Sequence, residues 1–441
     1  MRHSLTFIAL FGLLMCGSLQ LSHAQQFGAL ERDRAGVMLN SVKNEIKKNY
    51  YDPTFHGVDI DARFKAAGDK IKQSTSLGQV FAIIAQAVLD LNDSHTFFIP
   101  PERAVSVEYG WQMQMIGDKC YVTAIKPRSD AEAKGLKVGD QVISVDGYQP
   151  TRDILWKLQY LYYTLRPQPG MRVVVQSPDD QPRQLDVLAK TKEGKRFLNL
   201  TFMDAGQDYF DLIRQAENES RLYEHRHISA GDNKELFIWK MPQFGASETV
   251  DEMMGKAKDS KALILDLRGN GGGAEQTLLR LIGYFFDKDV KVGDIKRRKE
   301  TKPLVASTRG GSSYKGRLIV LVDSESASSS EIFARIIQME KRGTVIGDNT
   351  AGAVMRAITS PLQLGADTVV YYAAQVTDAD LIMSDGKSLE GAGVTPDERM
   401  TASAKDMAAG LDPVLSHAAS LAGVKIAPEK AGQFFPVQWK K

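Results

Sequence analysis

Four short apolar runs in the second half of the chain constrain its fold more than any other feature: "ELFIWKM" at 235–241, "ALILDLR" at 262–268, "RLIVLVD" at 317–323 and "TVIGD" at 344–348. Each is nearly continuous rather than alternating, the pattern of a strand covered on both faces. Helical spacing over 275–286 and 330–340 separates them. That order predicts an α/β core with a largely parallel sheet. In such sheets ligands bind where strands end and helices begin.

The first half reads differently. Residues 29–50, 59–74 and 77–91 have helical spacing, with Phe81, Ile84, Val88 and Leu91 on one face of the third segment. This predicts a small helical cap ending at "LNDSHTFFIPP", where Pro100 and Pro101 stop the helix from resuming. Residues 105–192 then carry short alternating strands: "WQMQMI", "CYVTAI", "QVISVDG", "MRVVVQS" and "RQLDVLA", with one helical stretch near 151–163. The stretch "YVTAIKPRSDAEAKGLKVGDQVISVDG" resembles a PDZ domain. The resemblance implies a peptide-binding edge whose carboxylate-holding loop is Tyr109, Gly110, Trp111 and Gln112. A plain β-rich spacer is the alternative.

The expected division is therefore 1–24 leader, 25–104 helical cap, 105–192 PDZ-like domain, 193–400 α/β core, and 401–441 C-terminal helix and tail. The leader has a cationic start at Arg2, an apolar run from Leu5 to Met15, and Ser22, His23 and Ala24 as a small-x-small cleavage site. Its apolar run falls short of the roughly 20 residues needed to span a bilayer, so it predicts export to the periplasm or outside the cell, without a stable membrane anchor.

Removal of the leader leaves Cys120 as the only cysteine, which excludes an internal disulfide. It also takes the formal charge from +2 to +1, with charges of both signs interspersed. Nothing resembles a nucleic-acid footprint.

Two strand-to-helix turns carry the chemistry. In "LILDLRGNGGGAEQ", Gly269, Gly271, Gly272 and Gly273 follow a buried strand. No Lys-Ser/Thr pair follows, which argues against a phosphate loop. Glycines there can instead bare backbone N–H groups toward a developing oxyanion. In "DSESASSSEIFA", five serines fall between Ser324 and Ser330. A hydroxyl on a sharp turn into a helix is held clear of the sheet and near the positive end of the helix dipole. Capping explains one serine before Glu331, not five.

These two turns in this order resemble the carboxy-terminal processing peptidases, also called tail-specific proteases, and the resemblance runs through cap, PDZ-like domain and core. It implies a multidomain α+β chain whose catalytic core is of the ClpP/crotonase-like type. It also implies a nucleophile at Ser328, the middle serine of S-x-S-x-S-E. Most of that family places a lysine base 25 residues further on, where this chain has Ala353. A methyl group accepts no proton.

His95, in "DSHT", is where the chain looks like the tricorn branch of the same superfamily. That resemblance implies His95 as general base, Ser94 orienting the imidazole, and Glu390 in "SLEGAGVTPD" completing the set. Backbone N–H of Ser329 and of Gly271 or Gly272 would form the oxyanion hole. The expected reaction is acyl-enzyme cleavage of polypeptides, without metal or cofactor, on unstructured C-terminal segments captured or gated by the PDZ-like domain. Oligomeric state stays open.

Other constellations are weaker. His225 and His227 lack a third ligand and an HExxH helix. "SSYK", at 312–315, has the S-x-x-K spacing without K-T-G. "DPVLSHAASLAG" predicts a peripheral helix closed by Gly423. The alternative from another class is a catalytically inactive protein binding peptides or apolar ligands, as interphotoreceptor retinoid-binding protein uses a related core; Ala353 favours it.

Overall fold

The computed structural model describes residues 27–101, 105–193, 225–231, 235–365 and 369–439. The expected leader lies outside the described residues. Among the latter, no helix is long and apolar enough to cross a membrane.

Three helices open the chain: α1 (Ala29–Asn49), α2 (Ile60–Lys72) and α3 (Leu77–Leu89). Asp59 and Ser76 cap the second and third by accepting from Ala62 N and Gln79 N. Beyond α3, Asn92 takes a left-handed turn (φ 53°) and leads to β1 (Phe97–Ile99).

The next unit comprises β2 (Val105–Glu108), β3 (Trp111–Ile116), β4 (Lys119–Ile125), α4 (Asp130–Ala133), β5 (Gln141–Val145), α5 (Leu155–Gln159), β6 (Gly170–Gln176), β7 (Arg183–Leu188) and β8 (Lys190–Glu193). Strands β3 to β7 form one antiparallel sheet in chain order, with β3 at its edge. The expected helix here is α5, prolonged by a π-turn over Tyr160–Leu165.

The remaining elements are β9 (Arg226–Ala230), β10 (Leu236–Lys240), α6 (Ser247–Ala257), β11 (Ala262–Asp266), α7 (Glu275–Gly283), β12 (Val290–Arg297), β13 (Thr301–Ala306), β14 (Arg317–Val322), α8 (Ser329–Met339), β15 (Thr344–Gly347), β16 (Arg356–Leu364), β17 (Val370–Met383), β18 (Glu398–Arg399), α9 (Ala404–Ala408), α10 (Pro413–Leu421) and α11 (Pro428–Gly432). The four apolar runs are neighbours in one sheet of order β18-β15-β14-β11-β10-β9, parallel except for β9. Alternate residues serve opposite faces. Leu263, Leu265, Val320 and Val322 pack toward α6, α7 and α8, whereas Ile264, Ile319 and Leu321 pack toward α10. Double coverage is why these strands read as unbroken apolar runs. The helix expected to be peripheral, α10, buries Val414, Leu415, Ala418 and Ala419 and closes the second face.

A second, antiparallel sheet joins β1, β17, β12 and β13, with β16 also on β17. Sequence pattern alone does not separate this sheet from the core. The apolar stripe of the cap, including Met38, Phe64, Phe81 and Ile84, packs on Phe98, Val370, Tyr372 and Val376 of this sheet. Pairing of Phe97 with Gln375 and of Phe98 with Ala374 brings the "DSHT" turn against the core.

Candidate active site

The serine-rich turn is held by its own hydroxyls. Ser326 Oγ donates to Leu267 O (2.9 Å), Ser329 Oγ to Gly273 O (3.0 Å), Ser330 Oγ to Asn270 O (2.9 Å) and Ser324 Oγ to Met115 O (2.5 Å). Four of the five serines therefore bind backbone carbonyls. Ser328 instead lines a cavity, at φ 54°, ψ −117°, where the strand gives way to α8. A non-glycine residue in that region carries roughly 1–3 kcal/mol of strain and persists only when its surroundings hold it.

Glu331 supplies much of that hold. Its buried carboxylate accepts from Ser328 N (3.0 Å), Ala353 N (2.9 Å), Gly352 N (2.7 Å) and Thr350 Oγ1 (2.6 Å). Burial pushes its pKa up to about 7, while these four donors pull the other way. Ser328 N also lies 2.8 Å from Ala353 O, so the position vacated by the lysine forms a backbone floor beneath the serine. Sequence reasoning noticed Glu331 only as a helix-start residue. A glutamate three residues after the N-cap was the available signal.

The glycine turn packs directly on Ser328. A Cβ on Gly272 (φ 98°) would lie 2.6 Å from Ser328 Cβ, and one on Gly273 (φ 139°) 2.3 Å from Phe244 O, so neither position admits a side chain. Asn270 organises the turn, donating to Met241 O (2.8 Å) and accepting from Gly272 N (2.8 Å). That bond occupies the Gly272 N–H, which leaves Gly271 beside Ser329 among the expected oxyanion donors. Asp323 ties the two turns together, accepting from Gly269 N (2.9 Å) and from Ser326 N (3.1 Å).

His95 and Ser328 line the same cavity of about 510 Å³, whose apolar wall includes Leu278, Ile295, Ile332 and Leu381. No hydrogen bond joins the two side chains. On its other side His95 Nδ1 lies 2.6 Å from Ser94 Oγ, which donates to Glu390 Oε2 (2.9 Å). Ser94 N and Val354 N donate to the same carboxylate at 2.8 and 2.9 Å. If the Ser94 hydroxyl gives its proton to Glu390, it must accept one from Nδ1–H, and Nε2 carries the lone pair. Burial lowers the pKa of His95 from its ordinary value, with the Asp93 carboxylate opposing. Burial raises that of Glu390.

The expected peptide-holding loop is partly internal. Tyr109 and Trp111 are buried, the tyrosine hydroxyl bonding the Gln168 backbone (3.0 and 3.1 Å), whereas Gly110 has φ 73° and Gln112 is exposed. Further along β3, Gln114 Nε2 donates to Asp323 Oδ2 (2.6 Å). Arg152 bridges the same unit to the core, through Asp348 (2.6 Å) and Asn349 O (3.0 Å). His225 is committed elsewhere, accepting from Trp239 Nε1 (3.1 Å), and His227 stacks on Phe237.

Comparison with known proteins matches residues 238–400 to Peptidase family S41 and residues 105–155 to the PDZ domain. The chain's α/β core, over residues 238–400, is that of peptidase family S41.

The chain is 29% identical over 314 residues to the tail-specific protease of Haemophilus influenzae, covering 66% of this chain and 41% of that protein. It is 23% identical over 402 residues to a "Probable CtpA-like serine protease" of Staphylococcus haemolyticus, covering 88% of this chain and 69% of that one. Among solved structures, mature CPAF superposes with a TM-score of 0.63 at 14% identity, covering 86% of this chain and 95% of CPAF. The photosystem II D1 C-terminal processing protease superposes at 0.52 and 18% identity, covering 90% and 99%. These two likenesses establish a shared fold.

Proposed function

We propose that this chain, with its S41 core, is an exported serine endopeptidase that cleaves polypeptides through an acyl-enzyme at Ser328, with His95 as general base in the manner of the tricorn branch. His95 Nε2 takes the Ser328 proton as Oγ attacks the scissile carbonyl. The N–H groups of Gly271 and Ser329 receive the oxyanion. The imidazolium passes its Nδ1–H bond through Ser94 to Glu390, then protonates the leaving amine. A water deprotonated by His95 releases the acyl group and restores Ser328.

The observation that carries this reading is the Glu390–Ser94–His95 relay beside the cavity that also holds the strained Ser328. Catalytic contacts commonly shorten only when substrate binds, so the unbonded His95–Ser328 pair is compatible with it.

Substrate C-termini would add to the outer edge of β3, with the Gly110–Gln112 backbone holding the carboxylate. The Gln114–Asp323 bond supports gating, because Asp323 also holds the glycine turn and the serine turn. Export rests on the leader alone.

Ala353 and the unbonded pair favour a second reading, a non-hydrolytic binder of peptides or apolar ligands. A fluorophosphonate probe separates the two. Labelling that disappears in Ser328→Ala supports the peptidase, and a folded wild type that stays unlabelled supports the binder.

A further inference from the structure

The base in the proposed mechanism has a neutral group, the Ser94 hydroxyl, as its direct partner. A second carboxylate lies behind the same turn. Asp93 is only 7% exposed. Its Oδ1 accepts from His95 N (2.9 Å), Thr96 N (2.7 Å) and Thr377 Oγ1 (2.7 Å), and its Oδ2 accepts from Tyr50 Oη (2.8 Å). Thr377 belongs to β17 and Tyr50 follows α1, so one side chain fastens the histidine turn to both the antiparallel sheet and the cap. A threonine pair reinforces the junction: Thr377 N donates to Thr96 Oγ1 and Thr96 Oγ1 to Thr377 Oγ1, both at 3.0 Å.

All four partners of Asp93 donate, and no lysine or arginine pairs with it among the described residues. A buried carboxylate without a cation is expensive to keep. Geometry alone does not require it. An asparagine could present its amide oxygen to the same three donors and turn its NH2 toward the Tyr50 oxygen.

We propose that Asp93 is a positioning residue for the general base: its buried negative charge, held on the His95 backbone, stabilises the imidazolium that forms when His95 takes the Ser328 proton, beside the neutral Ser94 link to Glu390. This rests on the peptidase reading above. The other charged or titratable groups around His95 are Glu390, reached through Ser94, and Glu275, Arg356 and Asp380, which line the shared cavity. Behind Asp93 stand Tyr50 and His56, whose Nδ1 is 3.4 Å from Tyr50 Oη. The Coulombic pull of Asp93 on His95 raises its basicity against burial.

The test is Asp93→Asn in the full chain, following fluorophosphonate inactivation from about pH 5 to 9 alongside thermal melting. The expected result is a near wild-type melting temperature and unchanged affinity for the probe. The acid limb should move down by about one pH unit, and the plateau inactivation rate should fall about three- to tenfold. A folded variant with an unmoved limb and rate overturns the role.

Should Asp93→Asn not fold, Tyr50→Phe carries the test. It removes the Oδ2 donor, leaves the charge less neutralised, and should move the limb upward; an unmoved limb there overturns the proposal. A wild type that does not label, or a His95→Ala protein that labels at the wild-type rate, overturns the peptidase mechanism itself.

Discussion

The two halves of the candidate site are built by different means. The nucleophile half is built at the carboxyl edge of one sheet: β11 and β14 are adjacent parallel strands, and the strand-to-helix turns that follow them are joined through Asp323, Asn270 and the serine hydroxyls. Backbone groups do most of the holding, and the strain at Ser328 is met by Glu331, three residues on. The base half is assembled from distance. Ser94 and Glu390 are 296 positions apart, and Asp93 joins the cap to β17. The serine turn is bonded to its neighbours without substrate. A base delivered by another sheet can move with the elements that carry it.

Breaking each half in turn sharpens this contrast. The largest effect is expected from Ser328→Ala, which should remove fluorophosphonate labelling and reduce cleavage of an unstructured casein probe by about 10⁴-fold or more, with melting unchanged. His95→Ala should cost about 10³-fold, also without loss of fold. In the wild type, activity should fall as the pH drops through a His95 pKa below its ordinary 6.5, because the protonated imidazole cannot accept the serine proton. A pH profile checks the sign.

Glu331→Ala attacks the nucleophile half through its support. It leaves the Gly352 and Ala353 N–H groups and the Thr350 hydroxyl without their acceptor, while Ser328 N keeps Ala353 O, and should lower stability by about 2–4 kcal/mol and activity by about 100-fold. A wild-type melting curve would show that the turn holds itself. Ser94→Ala cuts the relay without removing either end and should reduce the rate about tenfold, read as kcat with KM unchanged. Gln114→Ala, which uncouples β3 from Asp323, should change the rate only a fewfold. An effect as large as that of His95→Ala would move the PDZ-like domain from modulator to part of the machinery.

How much of this was legible follows the same division. The serine and glycine turns were readable because strand, turn and helix are consecutive there, and glycine and serine have local conformational meaning. The antiparallel sheet was not: β12–β13 and β16–β17 are local hairpins, but β12 and β1 reach β17 only across long separations. The roles of Asp93 and Asp323 at the site were invisible for a related reason. An aspartate in a loop looks solvated until the chain returns to surround it.

The sequence by itself determined the doubly covered parallel strands, the helical cap, and the turn in which Ser328 sits, because hydrophobic period and turn chemistry act over a few residues. Only the tertiary structure decided that β1 docks on β17, that Ser94 meets Glu390, and that the Gly272 N–H is taken by Asn270. Those outcomes depend on which apolar faces find one another, and burial free energy is indifferent to separation along the chain.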